Sequence, residues 1–349
     1  MSLNVIHSDA SDLPPKLPFT EEVSESTSKI YDLLKDKVDT KDWELHAPYI
    51  HAINKLKKEK NAVILVHNYQ TPEIFHGVSD VKGDSLLLAQ EAAKSSAERI
   101  IVAGVHFMAE TAKLLNPTKR VFVPDLKAGC SLADSITSED IALLREKYPN
   151  RPVVTYINST AAVKAASDIC CTSANAVSVV ESLGVPEVIF LPDEFLGKWV
   201  ATQTDVKLIL WKGHCEVHER FTPEEIRIYR EKNPGVTVLA HPECPPEVLL
   251  EADFVGSTSG FVKYLDKERP KKVVMITECS MSDNVSVEFP EIEFTRPCNL
   301  CPHMKRISLQ KILRTLQSDY GEIFIPDDVA KKARSSVERM IKVPRGRAG

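Results

Sequence analysis

Short apolar runs recur along the chain from position 62 onward: AVILV at 62–66, RIIVAGV at 99–105, RVFVP at 120–124, PVVTYI at 152–157, EVIFLP at 187–192, LILW at 208–211, VTVLA at 236–240 and KVVMIT at 272–277. Each is short and rich in Val, Ile and Leu, and so predicts a strand. Helix-like stretches lie between them, 85–95 and 222–232 among them. Strands alternating with helices predict parallel sheets, and strands apolar on both sides need helices over both faces. The predicted class is therefore α/β, with ligands gathering beyond the carboxyl ends of the strands. The first 45 residues differ: they are polar, rich in Ser, Asp and Pro, carry one helical patch near 28–38, and predict a mobile or peripheral extension. At the other end, 306–316 has the spacing of an amphipathic helix that packs against the first domain, ahead of an acidic-to-basic tail over 326–349.

The strand pattern is threefold. VFVPDLKAGC (121–130), VKLILWKGHC (206–215) and IEFTRPCNLC (292–301) each run from an apolar strand through a polar turn to a cysteine. Counting back from those cysteines, another strand ends in a polar tetrapeptide at His67 (HNYQ), Tyr156 (YINS) and His241 (HPEC), giving spans of 63, 59 and 60 residues. Between these landmarks Asp80, Asp168 and Asp253 each stand five residues ahead of a hydroxyl, Ser85, Ser173 and Thr258. Copies that differ in sequence yet keep the same groups at the same offsets predict triplication around a central axis, where the three thiols would meet. The expected partition is an N-terminal extension over 1–45 and repeats over 46–135, 136–220 and 221–316, with C-terminal helices in 317–349 packing back on the first repeat.

With 349 residues and 43% hydrophobic content the chain can bury a substantial core. A net charge of −5 and a pI near 6.1 argue against the basic face of a nucleic-acid binder. The apolar runs are too short to cross a bilayer, and the opening MSLNVIHSDASDLPP lacks a signal-peptide core, so a cytoplasmic protein without a membrane partner is expected. In that compartment eight cysteines predict metal binding or catalysis where thiols converge, rather than a disulfide framework.

Cys130, Cys215 and Cys301 share one repeat position, whereas Cys170, Cys171, Cys244 and Cys279 do not recur together, and Cys298 of CNLC has no counterpart in the other copies. A lone cysteine is ordinarily a small buried hydrophobe, which suits Cys170 and Cys279. Three matched thiols without a CxxC…CxxC framework suit an iron–sulfur cluster better than structural zinc, which takes four protein ligands and would need His214, His218 or His303 as the fourth. A cubane held by three thiolates keeps one iron open as a Lewis acid, which points to dehydration rather than electron transfer. Ser85, Ser173 and Thr258 each precede a helix-like segment. One such hydroxyl is a plain N-cap, worth about 1 kcal/mol. Three at matched positions aim three helix N-termini at one space suited to carboxylates or phosphate, so an anionic substrate is expected. The strand ends add His67, Asn68 and Tyr69, then Tyr156 and Asn158, then His241 and Glu243. Glu243 is the best candidate general base, His241 can exchange its proton, and Tyr156 with Asn158 can hold a carboxylate by neutral hydrogen bonds.

These residues fall in motifs that resemble, in order, those of the quinolinate synthase family: HNYQ at 67–70, GDS at 83–85, GVHFMAETAKLL at 104–115, AGCSLAD at 128–134, YINS at 156–159, CTSANA at 171–176, GHCEVHERF at 213–221, AHPEC at 240–244, GSTSG at 256–260 and CPHM at 301–304. The resemblance spans about residues 50–320. It implies three similar αβα domains about a pseudo-threefold axis and a 4Fe-4S enzyme of NAD biosynthesis. That enzyme condenses iminosuccinate with dihydroxyacetone phosphate to quinolinate, with loss of phosphate and two waters, and aspartate oxidase is the candidate partner that supplies iminosuccinate. Carried over by motif, Cys130, Cys215 and Cys301 would hold the cluster. His67, Ser85, Tyr156, Ile157, Asn158, Ser173, His241, Pro242, Glu243 and Thr258 would contact substrate, and Tyr69 and His218 would join Glu243 and His241 in catalysis. Two departures are the segment PDLKA ahead of Cys130 and a longer N-terminal extension, and neither touches a ligand. Two other readings are a diphthamide-type cluster enzyme, which HNYQ, YINS and HPEC do not suit, and a non-catalytic iron–sulfur sensor or carrier, which leaves the strand-end polar groups without a purpose.

Overall fold

A computed structural model describes residues 13–297 and 299–343, so Cys298 lies outside the described residues. Two helices, α1 (Glu21–Leu34) and α2 (Thr40–Glu59), start on the caps Thr20 and Asp39 and lead into the first sheet. That sheet is built from β1 (Ala62–His67), α3 (Pro72–Phe75), β2 (Val81–Gly83), α4 (Ser85–Lys94), β3 (Arg99–Ala103), α5 (His106–Leu115) and β4 (Arg120–Phe122). After α6 (Ser131–Asp134) and α7 (Ser138–Lys147) the plan repeats as β5 (Val153–Tyr156), α8 (Ala161–Ala166), β6 (Ile169–Cys171), α9 (Ala176–Ser182), β7 (Glu187–Leu191), α10 (Glu194–Ala201) and β8 (Lys207–Leu210). After α11 (Pro223–Lys232) it repeats again as β9 (Thr237–Ala240), α12 (Pro246–Leu249), β10 (Phe254–Val255), α13 (Thr258–Glu268), β11 (Lys272–Ile276), α14 (Ser280–Ser286) and β12 (Glu293–Thr295). Two helices close the chain, α15 (Leu309–Ser318) and α16 (Asp327–Lys342).

The three sheets are parallel and share one strand order: β2-β1-β3-β4, β6-β5-β7-β8 and β10-β9-β11-β12. The inner strands β1, β5 and β9 are buried over most of their length, as sheets flanked by helices on both faces require. The chain thus folds as three similar αβα domains.

A repeated clip sets the register of each first strand. Asp80, Asp168 and Asp253 accept a hydrogen bond from the backbone N–H of Ile64, Val153 and Val238 at 2.8, 2.7 and 2.7 Å. Each also pairs with a base on the preceding helix: Lys57 of α2 at 2.8 Å, Arg145 of α7 at 2.9 Å and Arg230 of α11 at 3.0 Å. Each base donates in addition to the carbonyl two residues ahead of its aspartate, those of Val78, Ala166 and Glu251. In every copy the base precedes its aspartate by 23 residues. The structural repeat therefore includes the helix ahead of each first strand, α2, α7 and α11.

The ends of the chain follow their sequence expectations in part. The helical patch near 28–38 is divided: α1 stops at Leu34 and α2 starts at Thr40. Val23, Leu34 and Trp43 are buried in the core that also contains the first sheet, so of the two expectations, mobile or peripheral, residues 21–45 meet the second as a packed layer. At the other end α15 packs on α2 and β3, on the side of the first domain, while α16 lies on α8, β6 and α5 and so straddles the second and first domains. Among the described residues no helix is long and apolar enough to cross a membrane.

Candidate active site

The carboxyl ends of all three sheets open on one cavity. From the first domain it takes His67 at the end of β1 and Tyr69 after it, Ser85 after β2, Phe107 and Met108 after β3, and Cys130 after β4. The second domain supplies Tyr156, Ile157, Asn158, Ser173 and Cys215, and the third His241, Glu243, Thr258 and Cys301; His218 completes the set. Of the residues singled out in the sequence as catalytic, substrate-binding or cluster-binding, Pro242 is the exception. It is buried and does not line the cavity.

The hydroxyl trio does not cap helices. Asp84 caps α4, accepting from Leu87 N–H at 2.8 Å, and Ser257 caps α13, accepting from Gly260 N–H at 3.1 Å. Ser85 and Thr258 therefore occupy the first helical turn on the cavity wall. Ser173 sits in the turn before α9, whose cap position is Asn175. Among the described residues no lysine or arginine lines the cavity, and the N-termini of α4 and α13 with oriented donors supply positive potential at its wall.

Glu243 is the hub of the polar groups. Tyr156 OH donates to its Oε1 at 2.5 Å, His218 Nδ1 lies 2.9 Å from its Oε2, and His241 Nδ1 lies 4.0 Å from the same oxygen. The rings of His218 and His241 stack with centroids 4.8 Å apart. His218 Nε2 is 2.9 Å from Thr277 Oγ1, and Tyr69 OH is 2.6 Å from that same oxygen. With Nδ1–H donated to Glu243, Nε2 accepts from Thr277, which accepts from Tyr69 in turn. A continuous chain of exchangeable protons then runs from Tyr69 to Glu243.

Burial sets the charge states. It lowers His67 to about 4 and His241 to about 3, so both rings are neutral at pH 7. It raises Tyr69 and Tyr156 well above their ordinary value, aided by the nearby Glu243 charge. Burial also opposes ionisation of Glu243, but His241 and His218 together with the hydrogen bonds from His218 and Tyr156 outweigh it and hold the carboxyl below its usual range. We attribute that net effect chiefly to His218 and Tyr156, because a neutral His241 contributes no charge.

Cys130, Cys215 and Cys301 are free thiols. Burial pushes Cys130 up to about 12 and Cys301 up to about 11, and raises Cys215 strongly as well, so without a metal all three carry their protons. Their loops are laced together: Ser131 Oγ donates to His214 O and accepts from Glu216 N–H, and His303 Nε2 pairs with Glu216 at 2.9 Å. Among the described residues one trio of potential ligand atoms lies within 4.8 Å of one another, and it is Cys215, His218 and Glu243. The three thiols are set wider than that. A single zinc ion with Zn–S bonds of about 2.3 Å would draw its sulfurs to roughly 3.8 Å. The spacing and the soft donor set fit a larger group. Of the zinc alternatives, His214 is turned away, stacked on Phe195 and paired with Glu194.

Sequence reading missed three buried polar groups behind this wall. Thr277 follows β11 as Gly104 follows β3, and it joins Tyr69 to His218. Asp193 and Glu278 hold matched positions one residue further on, both fully buried. Glu278 pairs with Lys305 at 2.9 Å, and Lys305 also donates to Tyr69 O at 2.7 Å. The polar residues after KVVMI were the available signal, in the copy-specific sequence TEC.

The family model for quinolinate synthetase A protein matches residues 51–342. A Mesorhizobium japonicum protein named quinolinate synthase 2 is 60% identical over 321 residues, covering 92% of this chain and 99% of that protein. Quinolinate synthase of Agrobacterium fabrum is 60% identical over 318 residues, 91% of this chain and 92% of its own length. Quinolinate synthase of Caulobacter vibrioides is 55% identical over 330 residues, 93% of this chain and 90% of its own length. A match over nearly the whole threefold core, together with the cavity those domains enclose, makes this chain a member of the quinolinate synthetase A protein family.

Proposed function

We propose that the protein condenses iminosuccinate with dihydroxyacetone phosphate to quinolinate, with release of phosphate and two waters, for NAD biosynthesis. The observation that carries this reading is the convergence of three thiols, two helix N-termini bearing hydroxyls and an ionised, multiply hydrogen-bonded Glu243 on one cavity. Both substrates are anions, and Ser85, Ser173 and Thr258 with the N-termini of α4 and α13 would hold carboxylates and phosphate without a cationic side chain. Asn158 adds a neutral donor on the cavity wall, where Tyr156, its one proton given to Glu243, offers its oxygen as an acceptor. Cys130, Cys215 and Cys301 would hold a 4Fe-4S cluster, whose iron without a protein ligand supplies Lewis acidity toward the hydroxyl that leaves as water.

The rest of the chemistry falls to the chain itself. Glu243 takes a proton from the carbon or nitrogen next to the leaving hydroxyl and passes it to that hydroxyl as it departs as water, while His218, whose Nδ1–H faces Oε2, keeps the carboxylate charged until then. Tyr69, through Thr277, holds the His218 ring in that tautomer. The neutral His67 and His241 donate or accept hydrogen bonds without adding charge beside the substrate. The partition into an N-terminal segment and three catalytic domains follows the same reading, and supply of iminosuccinate by aspartate oxidase and a cytoplasmic location accord with it. The test is anaerobic reconstitution with iron and sulfide, followed by chromatographic detection of quinolinate from the two substrates. Quinolinate that forms with the cluster-loaded protein and not with the metal-free protein supports the proposal; a loaded protein that forms none refutes it.

A further inference from the structure

Two residues beyond Val66, Thr155 and Ala240, the last positions at which each first strand pairs with the next inner strand, stand Asn68, Ile157 and Pro242. Two of these are apolar. Asn68 is the exception, and its side chain crosses to the third domain, where Nδ2 donates to Thr258 Oγ1 at 2.9 Å with both residues buried. Its backbone is held from two sides: its N–H donates to Gly83 O at 3.1 Å, and its carbonyl accepts from Asn284 Nδ2 at 3.0 Å. The amide therefore has little freedom to turn away. Thr258 is not needed as a helix cap, because Ser257 fills that role.

We propose that Asn68 is a positioning residue that fixes the Thr258 hydroxyl as a donor aimed into the cavity. A hydroxyl has one proton, and a donor amide on its oxygen leaves that proton to seek an acceptor elsewhere. That proton is then available to an anionic or carbonyl oxygen of the ligand, at a point where the α13 N-terminus already favours negative charge. The inference deepens the proposed function and rests on it only in requiring an oxyanion ligand. It assigns the first domain a part in a contact that the third domain makes.

A double-mutant cycle tests it, with phthalate, an aromatic 1,2-dicarboxylate, as the probe. Calorimetry on anaerobic, cluster-loaded wild type, Asn68→Leu, Thr258→Val and the double variant gives the four affinities, and Asn68→Ser replaces Asn68→Leu if the latter does not fold. Loss of one hydrogen bond to a charged acceptor predicts an affinity about tenfold weaker for Thr258→Val. Asn68→Leu should lose a comparable factor, and the double variant no more than Thr258→Val alone. Wild-type affinity in both Asn68 variants, losses that multiply, or a wild type that binds no phthalate would each overturn the inference. A coupled cycle in a protein that forms no quinolinate would instead refute the proposed reaction and leave the role of Asn68 standing.

Discussion

Glu243 accepts from Tyr156 and faces His218 inside a site that burial makes costly for charge. A carboxylate so well served is a weak base in the empty site, and every hydrogen bond that a bound substrate draws away from it strengthens it. Glu243→Gln keeps the shape and removes the proton acceptor. We expect this variant to retain its cluster and phthalate affinity while turnover falls by about 10² to 10⁴. Single-turnover kinetics beside iron analysis measures this, and turnover near that of the wild type would remove Glu243 from the mechanism. At this scale the sequence was informative about which groups gather and pointed to Glu243 as a base, but was silent about the hydrogen bonds that hold it. His67, Tyr156 and His241 were legible as matched strand ends, because the strand period places them at one level. The hydroxyls were not separable from caps, since DS at 84–85 and ST at 257–258 each offer two residues able to cap. Only the backbone shows that the first of each pair does so.

At the scale of elements, the strand that carries each catalytic end is held by an aspartate and a base from the preceding helix. The aspartates were visible in the sequence as landmarks of the repeat, but their proximity to the hydroxyl trio hid a purely structural purpose. The bases 23 residues upstream went unnoticed because Lys57 alternates with Arg145 and Arg230 and lies within helical charge patterns. Replacing an aspartate by alanine strips the partner from a strand N–H, at a cost of about 1–3 kcal/mol. Asp80→Ala should be the most destabilising of the three, because the Lys57 side chain is 9% exposed whereas those of Arg145 and Arg230 are 40% and 36% exposed and can turn to water. Urea denaturation of Asp80→Ala, Asp168→Ala and Asp253→Ala checks the order. Undiminished stability with weakened phthalate binding would mean that these aspartates serve the ligand instead.

For the whole molecule, three domains of one topology bring groups from every sheet to a centre that no single domain could enclose. The alternation of strand and helix made the class legible, and the recurring cysteine made the convergence legible. The helical layer at 21–45 was not, because its polar composition masks the few residues, Val23, Leu34 and Trp43, that bury it. Nor could sequence foresee that α16 would bridge two domains, since an amphipathic helix does not name the surface it covers. The central claim is that the matched thiols of the three domains jointly hold one cluster. Iron and sulfide analysis of anaerobically reconstituted variants tests it most directly. About four irons and four sulfides per chain are predicted for the wild type, Cys170→Ala and Cys279→Ala, and loss of the cluster in each of Cys130→Ala, Cys215→Ala and Cys301→Ala. Full iron and sulfide in any one of those last three variants would contradict it.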